Sequence, residues 1–373
     1  MSQRKFKFYK KFPIIISLLF ITFIVCGYFK CVDAKSLDYK IANMVIVGFD
    51  GTKLSKNTSI YDALKNKNLG GVLLYEKKPD GKIKNIKNKK QVAKLCKDIK
   101  KANKKALIAI DEEGGYVSRL NAYNGFAETS SARVIADRKS FKEMRVWSRT
   151  IADKLSKVNI NFNLAPVVDL NINENSKALG QYERMFSKDF TKVSILASIF
   201  IREHRNKNIL TSIKHFPGYG SAYLDPHKDF VDVSDTWSKE ELMPYKILIK
   251  NNLIDTIMTA HIFNKNLDDE YVATLSKKII NGVLRKELGY NGVVVSDDLT
   301  MAAIKKNYSF EDAVILSLNA GVDMLLFSNE YYNGTPILDG VIIAVKDAIK
   351  KGTISKKQID VSYNRIMALK DKL

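Results

Sequence analysis

From Ile41 onward, short runs of apolar, often β-branched residues recur along the chain: Met44–Val47, Gly71–Tyr75, Ala106–Ile110, Ile160–Leu164, Ile209–Ile213, Asp255–Thr259, Gly292–Val295 and Val322–Phe327. Each is too short for a helix and too continuously apolar for a half-exposed strand, so each predicts a strand buried on both faces. Between them the apolar positions switch to helical spacing, as in Val92–Ala102, Met144–Leu155, Val193–His204, Leu242–Lys250 and Ala313–Leu318. Buried strands alternating with helices predict a parallel sheet covered on both sides, and eight such units are the number that closes a barrel. No Pro/Ser-rich linker divides the chain. The expected fold is α/β, a single (β/α)8 TIM barrel over residues 35–373, with a doubly wound open sheet as the alternative.

The first 34 residues follow a different pattern. Arg4, Lys5, Lys7, Lys10 and Lys11 precede an 18-residue apolar stretch, Phe12–Phe29, broken only by Pro13, Ser17, Thr22 and Gly27. This reads as an export signal, either cleaved after Val32-Asp33-Ala34 or kept as an anchor through residues 12–29; both place the barrel outside the cytoplasmic membrane. The membrane is expected to be met only through this segment. Cys26 and Cys31 lack the small-residue setting of a lipid-attachment site and belong to the leader, leaving Cys96 as a buried small hydrophobe on a helix.

The chain has 61 Lys+Arg against 40 Asp+Glu, a net charge of +21. Six of the bases and one of the acids lie in residues 1–34, so the remainder is still strongly basic. Only 11 of the bases are Arg, and the lysines are spread over most predicted helices rather than massed in one arm. That distribution fits a solvated surface and argues against nucleic acid as a partner.

Polar residues cluster where barrel enzymes place their chemistry, at the C-terminal ends of the predicted strands. Ala106–Ile110 runs into Asp111-Glu-Glu-Gly-Gly115, Ile209–Ile213 into Lys214-His-Phe-Pro-Gly218, Asp255–Thr259 into Ala260-His261, and Gly292–Val295 into Ser296-Asp-Asp298. Of the four histidines, His215, His227 and His261 lie at or beyond such ends, whereas His204 sits on a helix and reads as structural. Asp297 closes a buried strand and is a candidate nucleophile or base, or else a cap for the next helix; strict alternation turns Asp298 away from it. Asp225-Pro-His227 sets a carboxylate two residues from an imidazole, where it could fix the ring tautomer or form a surface pair. No phosphate loop, dinucleotide fingerprint, serine-nucleophile elbow or C-x-x-C pair is present. Metal-assisted hydrolysis through His215, His227, His261, Asp111 and Asp297 is the chemical rival, although the first strand carries no histidine.

Six blocks occur in order: Asp111-Glu-Glu-Gly-Gly-Tyr-Val-Ser-Arg-Leu120, Arg184-Met-Phe-Ser187, Lys214-His-Phe-Pro-Gly-Tyr-Gly220, Asp225-Pro-His227, Met258-Thr-Ala-His261 and Ser296-Asp-Asp-Leu-Thr-Met301. Together they resemble family 3 glycoside hydrolases of the β-N-acetylglucosaminidase (NagZ-like) branch. The resemblance implies a TIM barrel that needs no cofactor or metal, with Asp297 as nucleophile and His227 as general acid/base oriented by Asp225. It also implies that Asp111, Arg184, Lys214 and His215 grip the hydroxyls of the non-reducing sugar. The implied activity is retaining, exo-acting removal of terminal β-linked N-acetylglucosamine from a glycan substrate such as a peptidoglycan fragment. β-Glucosidase and phosphorolysis are the alternatives within the family, and a non-catalytic glycan-binding envelope protein is the alternative outside it. Three positions depart from the family pattern: Tyr116, Tyr219 and Met185, of which Tyr116 and Met185 are expected to alter sugar contacts or the next subsite. No additional C-terminal domain of the kind some relatives carry is expected.

Overall fold

The computed structural model describes residues 35–373, so the expected leader, its apolar stretch and Cys26 and Cys31 lie outside the described residues. Leu37–Leu373 form one compact unit. Its centre is a closed barrel of eight parallel strands: β1 (Val45–Gly48), β2 (Gly71–Leu73), β3 (Leu107–Ile110), β4 (Phe162–Asn163), β5 (Leu210–Phe216), β6 (Thr256–Thr259), β7 (Val293–Asp298) and β8 (Met324–Phe327). Each strand lies beside its neighbours in sequence, and β1 closes on β8 through Val45↔Leu325, Ile46↔Leu326 and Val47↔Phe327. Closure rules out the open-sheet alternative. All eight runs contribute a strand, but polar residues such as Asn163, Thr211 and Ser212 lie within them and the limits shift: the run Ile160–Leu164 gives only Phe162–Asn163, and Ile209–Ile213 extends to Leu210–Phe216.

The five expected helices are present, but four begin several residues earlier than their apolar spacing: Lys89–Ala102, Phe141–Lys157, Phe190–Arg205 and Phe310–Ala320. Their first turns are largely polar, and the side chains of Asn88, Ser140, Asp189 and Ser309 accept hydrogen bonds from the backbone N–H groups left open there. Cys96 is buried within Lys89–Ala102, and burial pushes its thiol up to about 12. Among the described residues no helix is long and apolar enough to cross a membrane.

Two irregularities decide which side chains reach the barrel mouth. The register of β5 against β6 shifts between Ile213 and Phe216, and that of β7 against β8 shifts so that Val295 pairs with Met324 but Asp298 with Leu326. A bulge suspends the two-residue alternation of a strand. Consecutive residues, Lys214 with His215 and Asp297 with Asp298, thus line the same cavity. The expectation that Asp298 faces away from Asp297 fails for this reason.

Candidate active site

A cavity of about 570 Å³ opens at the C-terminal ends of the strands and is lined by Asp111, Arg184, Lys214, His215, Asp225, His227 and Asp297. All seven residues singled out from the sequence meet there. Around them lie Glu113 and Arg119 from the segment after β3, Asp298 from β7, and Tyr116 and Tyr182 at the rim.

One side of the cavity is a buried charge cluster. Arg184 donates from Nε and Nη2 to the two oxygens of Glu113, at 2.8 and 2.9 Å, and from Nη1 to the Ala178 carbonyl at 2.9 Å. Lys214 Nζ lies 2.7 Å from both Asp111 Oδ1 and Glu113 Oε1. Burial opposes ionisation of Glu113, but Arg184 and Lys214 outweigh it and hold the carboxyl well below its usual range. Burial likewise opposes the charges of Arg184 and Lys214, and the facing carboxylates raise both above their ordinary values. With Oδ1 engaged by Lys214 and Arg119 4.0 Å from Oδ2, Asp111 keeps acceptor capacity at Oδ2 for a ligand hydroxyl. Lys214 keeps a third N–H beyond the two carboxylates it meets.

His215 is fixed from behind. Its backbone N–H and its Nδ1 meet Asp169 Oδ2 at 3.1 and 2.7 Å, which assigns the ring proton to Nδ1 and leaves Nε2 as an acceptor 3.4 Å from Arg184 Nη2. Asp169 Oδ1 also accepts the Tyr219 N–H. Tyr219 is buried edge-on to His215, so this departure from the family pattern fills space beneath the site. Met185 is buried in the core and absent from the cavity lining, which overturns the expectation that it alters sugar contacts. Tyr116 does line the cavity and is exposed.

Asp297 sits where the strand bulges. Burial raises its carboxyl, yet the imidazoles of His261, His215 and His227 and the Asp298 N–H, 2.8 Å from Oδ1, lower it further, so the group is held below its ordinary value. The helix-cap alternative for Asp297 fails because its neighbour takes that kind of role. Asp298 Oδ1 accepts from Thr300 N and Oγ1 and from Ser328 N.

The opposite side of the cavity is a loop. Asp225 Oδ1 accepts from the His227 backbone N–H at 3.0 Å and meets Nδ1 at 2.8 Å, so the ring presents Nε2 as its remaining nitrogen. Burial lowers the His227 pKa, but the bond to Asp225 and the charges of Asp297 and Asp225 raise it to a net upward shift. At the root of the loop, Gly218 has φ +100° and Gly220 packs so closely that a Cβ would meet the Leu170 carbonyl oxygen at 1.7 Å. Glu241 Oε2 accepts the Gly220 N–H at 2.7 Å, and burial together with Asp169 pushes this carboxyl up to about 8. At its far end the loop docks on the segment after Asp297, where Ala303 N–H reaches the Pro226 carbonyl at 3.4 Å and Lys306 Nζ the Lys228 carbonyl at 3.0 Å.

Among the described residues no three His, Cys, Asp or Glu side chains are grouped to hold a metal ion. His261 is spent on Thr274 and the Asp298 carbonyl, at 2.8 and 2.9 Å, and His204 is buried against Phe200 and Asn163 with its pKa lowered by burial to about 4. Sequence reading passed over Glu113, Arg119, Asp169 and Glu241. Asp169 had a visible signal, an acid closing the apolar run Ala165–Val168. Glu113 and Arg119 lie within the Asp111–Leu120 segment, where nothing in their spacing sets them apart from its other polar residues.

Residues 36–369 match the family described as glycosyl hydrolase family 3, N-terminal domain. The chain is 31% identical over 347 residues to beta-hexosaminidase A of Pseudoalteromonas piscicida, covering 86% of this chain and 55% of that protein. It is 34% identical over 286 residues to a beta-hexosaminidase of Tolumonas auensis, covering 75% of this chain and 81% of the relative. Its fold superposes on a family 3 β-N-acetylglucosaminidase from Paenibacillus sp. with a TM-score of 0.82 at 29% identity, over 91% of this chain and 63% of the other.

Proposed function

The chain belongs to glycosyl hydrolase family 3, and from that membership we propose that it is a retaining, exo-acting β-N-acetylglucosaminidase. The observation that carries the reading is the pairing, in one cavity, of an ionised Asp297 with an Asp225-oriented His227 whose pKa is raised. The Asp297 carboxylate attacks the anomeric carbon as the bond to the leaving oxygen breaks, and His227 Nε2–H gives its proton to that oxygen. In the second step neutral His227 takes a proton from water, which attacks the same carbon and releases the Asp297 carboxylate. Two displacements at one carbon retain its configuration. Asp111, Arg184, Lys214 and His215 are assigned to the sugar hydroxyls, joined by Arg119, with Glu113 holding Arg184 and Lys214 in place. Arg119 Nε is buried without a partner and supplies a ready donor.

The substrates are terminal β-linked N-acetylglucosamine residues of glycans met outside the cytoplasm, peptidoglycan fragments among them, and the site is assigned no metal or cofactor. The external location rests on the basic and apolar pattern of residues 1–34. Residues 1–34 are proposed as a leader or anchor and 35–373 as the catalytic barrel.

The test is release of an aryl leaving group from β-N-acetylglucosaminide and β-glucoside in parallel, with Asp297→Ala as the blank. Selective release from the acetamido sugar, absent in the variant, is the expected result. Preference for the glucoside moves the protein to another branch of the family.

A further inference from the structure

Tyr116 stands at the tip of a two-stranded hairpin, Glu112–Gly114 with Val117–Ser118, which is fixed underneath by Glu112. The Glu112 carboxylate is fully buried and accepts from Ser118 Oγ at 2.6 Å, from the Leu120 N–H at 2.9 Å and from Lys154. Gly114 and Gly115 turn the chain with φ of +88° and +58°, and a Cβ on Gly115 would lie 2.6 Å from Ser131 Cα. A rigid base thus holds an aromatic ring that is 67% exposed. Tyr182, 46% exposed, lies edge-on to it at 6.4 Å and 70°, so the rings do not cover each other face to face. The ring stands at the rim of the catalytic cavity, where a bound glycan leaving toward solvent would pass over it.

Beyond Tyr116 lies a second cavity of about 490 Å³ that shares Tyr116 and Arg119 with the first. Its lining includes Glu76, Glu128 and Glu183 with Arg119, and Lys77, which lines the first cavity, lies over the Tyr123 ring. Asn121, bonded to Glu76, and Tyr123, 94% exposed, complete its edge.

We propose that Tyr116, with Tyr182 beside it, is a stacking platform for the leaving-group side of the substrate, and that the second cavity continues it as a subsite for a further sugar. The occupant is an extended oligosaccharide. A pyranose ring offers an apolar C–H face to the tyrosine and hydroxyl or amino donors to the surrounding carboxylates. The inference rests on the glycosidase reading and specifies the aglycone that reading leaves open.

The experiment compares kcat/KM for the N-acetylglucosamine disaccharide and tetrasaccharide in wild type, Tyr116→Ala and Tyr116→Phe. Wild type is expected to favour the tetrasaccharide by about tenfold, Tyr116→Ala to bring the ratio close to one, and Tyr116→Phe to preserve it, since the ring and not the hydroxyl makes the platform. No chain-length preference in wild type, or a preference that survives Tyr116→Ala, overturns the subsite. Binding of the same two oligosaccharides to Asp297→Asn separates this inference from the functional one, because it needs no turnover. Tighter binding of the tetrasaccharide, lost with Tyr116→Ala, supports the platform even if wild type fails to cleave aryl N-acetylglucosaminide; equal binding of the two overturns it even if that cleavage is found.

Discussion

The side chains of Glu113, Arg184 and Lys214 are 3%, 9% and 3% exposed, and each charge faces an opposite one at 2.7–2.9 Å. His227, lining the same cavity, is 58% exposed at its side chain and is held by Asp225, two residues away, on a loop docked through a few backbone contacts. The buried cluster is over-determined: its groups grip one another whether or not a sugar is present, so binding a sugar demands little reorganisation. The loop is determined locally, which suits a proton donor that must serve a departing alcohol and then an arriving water. In the proposed mechanism the cavity thus separates recognition, by a buried charge cluster, from proton transfer, by a residue on a loop.

The largest effect should come from breaking the loop side. His227→Ala is expected to lower turnover of a natural disaccharide by about 10²- to 10⁴-fold, but an activated aryl glycoside by much less, since that leaving group needs little protonation. Steady-state kinetics on both substrates check this, and the fold should survive because the side chain is largely in solvent. Full activity on the disaccharide would remove His227 from its role.

Breaking the buried side should cost stability as well as activity. Glu113→Ala leaves Arg184 and Lys214 buried without their shared partner, at a cost of about 3–5 kcal/mol measurable by denaturant unfolding. The sign of the pH dependence follows from the direction of the Glu113 shift. Its carboxyl is depressed in the folded state, so its stabilisation is present above the ordinary carboxylate pKa and is lost as pH falls toward the depressed value. Wild type should therefore lose stability on acidification through that window, and Glu113→Ala should lose less there.

The smallest effect sharpens the contrast. Asp225→Asn keeps an oxygen toward His227 Nδ1 but removes the charge that helps raise the imidazole pKa. Glycosylation needs Asp297 ionised and His227 protonated, so kcat/KM should follow a bell in pH. The variant should shift its alkaline limb to lower pH and cost about tenfold or less near neutrality. An unmoved limb would show that Asp225 does not set the His227 protonation.

The sequence carried one half of this arrangement better than the other. The eight strands were legible because mostly apolar runs of four to six residues, recurring between helical stretches, have few other uses. The strand-end residues Asp111, Lys214, His215 and Asp297 were legible because a charge immediately after such a run has no solvent to face. The bulges in β5 and β7 were not, since they arise from pairing with β6 and β8 and leave no local mark; Asp298 was misplaced for that reason. Glu113 and Glu241 were missed because a glutamate in a polar stretch reads as surface until the cations or backbone that bury it are seen. Met185 looked like a sugar contact by its place beside Arg184, but its neighbour alone reaches the cavity.

The central claim is that Asp297 forms a glycosyl-enzyme while His227 handles the proton. The direct measurement is mass spectrometry of the enzyme after reaction with a slow-turnover fluorinated N-acetylglucosaminyl substrate, with digestion to locate the attached sugar. The account predicts one sugar on the peptide containing Asp297 and none in Asp297→Ala. A sugar on any other residue, or product released with inverted configuration, would contradict it.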